Sequence, residues 1–132
     1  MPLTVAIVTP SRILAQEQAD EVNIPGDLGY LGILPGHTSL LTQLGQGELM
    51  YRRGEQRQYL ALFGGYMEVR DDQVTVLADV AETAADIDRT RAESARNRAE
   101  QRLRERQGQD IDFERAQAAL MRAMIRLQVV GR

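Results

Sequence analysis

The chain has 132 residues, 16 basic and 19 acidic, for a formal charge of −3. That length predicts one domain, or one small domain with an appendage, burying roughly two-thirds of its unfolded surface without staples. The absence of cysteine excludes disulfides, thiolate zinc sites and cysteine nucleophiles, and a single histidine, His37, leaves little for histidine-dependent catalysis or metal binding.

Residues 1–85 read as short strands separated by glycine and proline. Leu3, Val5 and Ile7 alternate with Thr4, Ala6 and Val8, the two-residue period of a half-buried strand. Val22 and Ile24 repeat it before a turn at Pro25-Gly26-Asp27. Apolar runs follow at 31–34, 39–44, 47–51, 59–63, 66–69 and 74–78. Between them stand Pro35-Gly36, Arg53-Gly54-Glu55, Gly64-Gly65 and Asp71-Asp72 as turns or bulges, with Gly45-Gln46-Gly47 read as a turn. Strands this short and evenly spaced predict two packed antiparallel sheets.

From Asp86 to Arg132 there is no proline, and only Gly108 and Gly131 interrupt. Asp86 and Asp88 favour a helix N-terminus. Ala92, Ala95, Ala99 and Leu103 follow at steps of three and four, a narrow stripe of small residues. Gly108 breaks the pattern, and Asp110 and Asp112 open a second helix with a stripe of Phe113, Ala116, Leu120, Ala123, Met124, Leu127 and Val130. Two helices joined by a short loop pack antiparallel. The expected class is therefore α+β: an N-terminal antiparallel β-sandwich over 1–85, then a C-terminal antiparallel two-helix hairpin over 86–132. Alanines bury little apolar area, so the hairpin's pairing is expected to be weak enough to open for a better surface.

All sixteen basic residues are arginine. Coding bias explains this as readily as arginine's fit to carboxylates and phosphates. Residues 1–85 carry eleven acids and five arginines, net −6, and 86–132 carry eight acids and eleven arginines, net +3. The asymmetry points the hairpin toward an acidic partner. The start, Met1-Pro2-Leu3-Thr4, lacks a basic region and long apolar run, which predicts no secretory leader, and nothing approaches the ~20 apolar residues of a membrane span.

Little in the chain resembles catalytic equipment. Neither Gly-x-x-x-x-Gly-Lys nor Gly-x-Gly-x-x-Gly occurs. Asp71-Asp72 reads as a solvated turn, and His37 has no acidic or histidine neighbour to share a metal. The arginine-rich 89–106 interleaves Glu93, Glu100 and Glu105 and holds no aromatic residue, which argues against nucleic acid. One cluster is sharper. Asp88 and Arg91 share a helical face, as do Arg122 and Arg126. Folding the hairpin brings these arginines toward Asp88, Arg91 and Arg98. Such a cluster is either a polyphosphate site or an inter-helix salt-bridge network, and spacing alone favours the network.

Several segments resemble one family. Leu31 followed by Gly32-Ile33-Leu34-Pro35-Gly36-His37 resembles the LGI-x-PGH segment of the epsilon subunit of bacterial F-type ATP synthases. Gly64-Gly65-Tyr66-Met67-Glu68-Val69 is similar to that family's GG-x-x-EV segment, and Val74-Thr75-Val76-Leu77-Ala78 to its next strand. Ile87-Asp88-Arg89-Thr90-Arg91-Ala92 matches its I/L-D-x-x-R-A motif, and the stretch from Asp110 to Met124 looks like its second C-terminal helix. The resemblance runs through nearly the whole chain in order.

It implies a sandwich that holds the gamma subunit and rests on the ring of c subunits as part of the rotor's central stalk. It implies a hairpin that folds onto the sandwich or extends into the catalytic alpha/beta head and blocks ATP hydrolysis. The chain itself is then not an enzyme, needs no cofactor or metal, and sits peripherally on the cytoplasmic face of the bacterial inner membrane. In some members the folded hairpin binds ATP as a regulatory ligand. The matching positions are Glu82, Ile87, Asp88, Arg91, Ala92 and Arg98, with Arg122 and Arg126 from the second helix. Gamma or c-ring contact is implied for Tyr30, Leu31, Pro35, Gly36 and His37, and inhibitory contact for Arg115, Arg122 and Arg126. Tyr30 departs from the acidic or polar residue common before LGI, offering a weaker hydrogen bond and apolar contact. The rival expectations are a purely structural stalk subunit, and an unrelated ligand-binding sandwich with a helical dimerisation arm.

Overall fold

Seven strands form one continuous sheet: β1 (Leu3–Val8), β2 (Ile13–Ala19), β3 (Glu21–Gly26), β4 (Gly29–Ile33), β5 (Leu40–Arg53), β6 (Gln56–Arg70) and β7 (Gln73–Thr83). Their order is β2-β1-β7-β6-β5-β3-β4. This computed structural model describes residues 1–105 and 110–132, with side chains for all of these except 110–112. The break expected at Gly108 lies outside the described residues. Two compact units are present, Met1–Thr83 and Ala84–Arg132.

Every neighbouring pair is antiparallel except β1 and β7, which run parallel from Thr4 beside Gln73 to Val8 beside Leu77. Local pattern does not reveal that pairing, because it joins the two ends of the first unit. The glycine sites at 45–47 and 64–65, where the sequence suggested separate strands, lie inside β5 and β6. This corrects the turn read at Gly45-Gln46-Gly47.

Those glycines bend the sheet onto itself. β5, β6 and β7 stay in register along their length, yet the ladder skips Gly45, Gly64 and Asp79, which share one row. Inward-facing residues change parity there: Leu60 and Leu62 before the row on β6, Met67 and Val69 after it; Val74, Val76 and Ala78 before it on β7, Ala81 after it. One extra residue per strand keeps the same face inward while the strands coil. Gly64 and Gly65 take φ of 79° and 128°, conformations open to glycine. A single core results, with Leu3, Ile7, Ile24, Ile33, Leu49, Leu62 and Met67 from five strands all at most 1% exposed.

The edge strand β2 was not legible in the sequence. Its segment, Ile-Leu-Ala-Gln-Glu-Gln-Ala, favours helix by propensity and turns only Ala15 and Ala19 fully inward. Tertiary pairing with β1 overrides that preference. The sandwich closes where β2 meets β5, with three strands of the sheet between them. There Tyr51 donates to Glu17, and burial, then the Glu17 charge and this hydrogen bond, push the Tyr51 hydroxyl up to about 12.

The proton is therefore held more tightly in the folded state than at the ordinary tyrosine value near 10. This contribution is complete below pH 10 and is lost as pH rises toward 12. With no lysine or cysteine in the chain, few other groups titrate in that window. Tyr51→Phe should remove the alkaline fall, as read by urea unfolding at pH 9 and pH 11. An unchanged fall would place its cause elsewhere.

The second unit begins with a short 3-10 turn, Ala84–Asp86, and continues as α1 (Arg89–Arg104) and α2 (Asp110–Val130). Asp88 is the N-cap of α1, its carboxylate accepting from Arg91 N at 3.1 Å. α1 and α2 pack together, and Arg89 Nη2 donates to the Val130 carbonyl at 3.3 Å, so the start of α1 lies beside the end of α2. Ala92 and Ala99 are buried on α1 and Ala116 and Ala123 on α2, each pair seven residues apart. Small residues at that period let two helices approach closely. The expected α2 stripe needs one correction: Met124 is exposed, whereas Ile125 and Val129 are buried.

Candidate functional site

The hairpin gathers its arginines on one side. Arg91 and Arg98 are seven apart on α1; Arg115, Arg122 and Arg126 follow at seven and four on α2. Measured from the Arg89–Val130 contact, Arg91 and Arg126 lie about 3 and 6 Å into the hairpin, and Arg98 and Arg122 about 14 and 12 Å, at 1.5 Å per residue. With 100° per residue and alanines facing between the helices, all five project to the same side. Glu93 and Glu100 fall on the other side, where Arg96 pairs with Glu100 at 3.6 Å. Among the described residues no ion pair is formed by Arg91, Arg98 or Arg122. Two levels of forked cations suit a polyanion, by charge and by bidentate hydrogen bonding.

The other residues assigned to this cluster take different places. Asp88 caps α1, and Ala92 sits buried one turn on. Ile87 is half-buried, its N–H bonded to the Ala84 carbonyl at 3.3 Å. Glu82 lies on β7 in the first unit. Opposite the arginine side, an open groove of about 590 Å³ is lined by Arg96, Gln117, Leu120, Met121, Met124, Ile125, Leu127 and Gln128.

On the sandwich, Tyr30 has a double role. The residue is 56% exposed, while its hydroxyl accepts from Glu48 N at 3.0 Å and lies over Gly47, where a Cβ would strike it. The polar end of Tyr30 thus fastens β4 to β5, leaving the ring flank as its outward surface. Leu31 is half-buried; Pro35 and Gly36 are exposed. In the turn that follows, His37 N donates to the Leu34 carbonyl at 3.1 Å and His37 Nδ1 to Thr38 O at 2.7 Å. Among the described residues no group of histidine or acidic side chains is arranged to hold a metal.

A second surface went unread in the sequence. Ile13, Val8, Leu77, Tyr66 and Gln43 form one row across β2, β1, β7, β6 and β5. Ile13, Leu77 and Tyr66 are 62%, 55% and 54% exposed, and Leu41 lies near the row's end, also exposed. Glu68, paired with Leu41, and Arg70 stand on the same face, so the apolar row has a charged border. Alternation along single strands marked some of these residues as outward, but only the registers assemble them into a row.

Comparison with known proteins agrees with this architecture. Residues 2–84 match the family described as ATP synthase, Delta/Epsilon chain, beta-sandwich domain, and residues 85–131 the long alpha-helix domain of the same chain. Over 130 residues the chain is 50% identical to ATP synthase epsilon chain 2 of Syntrophotalea carbinolica and 46% identical to the epsilon chain of Geobacter sulfurreducens, covering 98% of this chain and 94% of each relative. A chain in the Euglena gracilis mitochondrial ATP synthase structure of OSCP, F1 and c-ring has a similar fold, with a TM-score of 0.69 at 20% identity, covering 98% of this chain and 78% of that one. A chain in the central stalk/c-ring structure of Tetrahymena thermophila ATP synthase aligns with a TM-score of 0.58 at 16% identity, covering 99% and 95%. These matches displace the reading of an unrelated sandwich with a dimerisation arm: the chain belongs to the delta/epsilon chain family of ATP synthases, as an epsilon chain.

Proposed function

We propose that this epsilon chain, a non-catalytic subunit, works in the central stalk, with its sandwich joining the gamma subunit to the c ring and its hairpin restraining ATP hydrolysis. One chain of similar fold belongs to a structure described as central stalk and c-ring and another to one of OSCP, F1 and c-ring, which supports the stalk position. The loop of Tyr30, Leu31, Pro35, Gly36 and His37, with the exposed row from Ile13 to Tyr66, supplies contact surface for those partners. No helix among the described residues is long and apolar enough to cross a membrane. Attachment to the cytoplasmic face of the bacterial membrane then comes through the complex.

The regulatory part rests on one observation, the single-sided arginine cluster. Folded, the hairpin holds Arg91, Arg98, Arg122 and Arg126 together, with Asp88 and Ala92 fixing the start of α1, and in this state it binds ATP; Ile87 completes the proposed set within the hairpin unit. Extended, Arg115, Arg122 and Arg126 meet acidic segments of the alpha/beta head. One set of cations cannot serve both, so ATP and inhibition compete. A ligand shifts such an equilibrium only by its differential affinity for the two states.

Calorimetric titration of ATP into the full chain should show saturable binding. Arg91→Ala and Arg126→Ala should each weaken it at least about tenfold, the loss of one charge-assisted contact. Unchanged affinity in both variants would remove the nucleotide site. The hairpin would then be a helix pair held by its buried alanines and the Arg89–Val130 contact, and the chain a structural stalk subunit.

A further inference from the structure

We propose that Asp72 is a positioning residue that holds the 34–38 loop in the shape it presents to the rotor ring, an inference that rests on the reading of that loop as ring-facing. The loop leaves β4 at Ile33 and enters β5 at Leu40, with Leu34, Pro35 and Gly36 exposed. Its hydrogen bonds from His37 stay within the loop, to Leu34 and Thr38. The tie to another element is Gly36 N–H, which donates to Asp72 Oδ1 at 2.7 Å across 36 residues of sequence. Gly36 has φ of 85°, so the amide aims at the carboxylate only in a left-handed conformation suited to glycine.

Asp72 is itself an unusual residue for its place. Arg70 pairs with Gln73, so Asp71 and Asp72 are the two central residues of a tight hairpin turn between β6 and β7. Both have positive φ, 50° and 61°. Turns of this kind favour Asn-Gly or Asp-Gly, because glycine takes the second left-handed position without steric cost. An aspartate there is disfavoured for the turn alone. What it adds is a junction: its carbonyl accepts Thr4 N at 2.8 Å at the start of β1, and its carboxylate accepts Gly36 N. A glycine would suit the turn and keep the Thr4 bond, but would release the loop.

That separation makes the role testable. D72G, D72N and L34S would each be assembled into ATP synthase in vesicles, measuring chain retained after washing and proton-driven ATP synthesis. Melting of each isolated full-length chain would be followed alongside. The expected result is that D72G melts at or above the parent temperature yet loses at least about tenfold in retention and synthesis, the scale of one hydrogen bond to a charged group. D72N keeps an acceptor oxygen and should behave as the parent, while L34S should lose retention directly. Parent-like retention in D72G with loss in L34S would overturn the positioning role and leave the loop contact standing. Parent-like retention in both would overturn the ring-facing reading and this inference with it. Equal losses in D72N and D72G, or a D72G chain that melts well below the parent, would also overturn it, by assigning Asp72 to charge or to fold stability.

Discussion

Gly65→Ala is expected to destabilise the sandwich by more than about 3 kcal/mol, enough to unfold it under mild conditions. Gly65 has φ of 128°, outside the conformations an alanine adopts without strain. A Cβ at this position would also strike the Leu77 carbonyl oxygen and lie 2.8 Å from Ala78 Cα and 3.1 Å from Asp79 N. All three are backbone atoms of β7, so no side chain can turn aside to make room. The site adjoins the row where β5, β6 and β7 coil together. A shift there would disturb Met67, Val69 and Val76, all essentially buried. Gly54→Ala is the control: φ is also positive, at 61°, but nothing lies within 4 Å of the added atom. Its cost should be about 1 kcal/mol, the backbone term alone. Urea unfolding of both variants separates the cases, and equal losses would contradict the account of the bend.

The same bend shows what was legible in the sequence. Alternating Leu3, Val5 and Ile7 marked β1, and the glycines at 45–47 and 64–65 marked a change of direction. They did not show that the chain continues as a strand through both, because a bend and a turn use the same residue for the same conformational freedom. β2 was missed since its composition is that of a helix, although it pairs with β1 as the adjacent arm of a hairpin. On α2, a simple stripe placed Met124 inward; the structure instead buries Ile125 and Val129, about a quarter-turn to a half-turn round the helix. Sequence spacing did identify the arginines at 91, 98, 122 and 126. Their convergence to one side follows only once Arg89 meets Val130 and fixes the antiparallel pairing. Tyr30 illustrates the remaining gap: its hydroxyl partner, Glu48 N, lies 18 residues away, and no local pattern points to it.

The second large effect concerns the hairpin's role in the assembled enzyme. The sandwich core draws on residues from Leu3 to Ala81, so ending the chain after Thr83 leaves that core whole. The truncated subunit should therefore still assemble with its partners through the loop at 30–37 and the outer face. What it lacks is the arginine side of the hairpin, with Arg115, Arg122 and Arg126. If that side holds a fraction of complexes inactive, removing it frees them. A twofold rise in hydrolysis corresponds to about half of the complexes being held at any moment, and larger fractions give steeper rises.

The direct measurement is ATP hydrolysis by purified ATP synthase carrying either the full chain or the chain ending at Thr83, at equal subunit content and low starting ATP. The account predicts at least about twofold faster hydrolysis with the truncated chain, narrowing as ATP rises and folds the intact hairpin away from the head. Equal rates at every ATP concentration would contradict it and leave the hairpin without an inhibitory role in this enzyme.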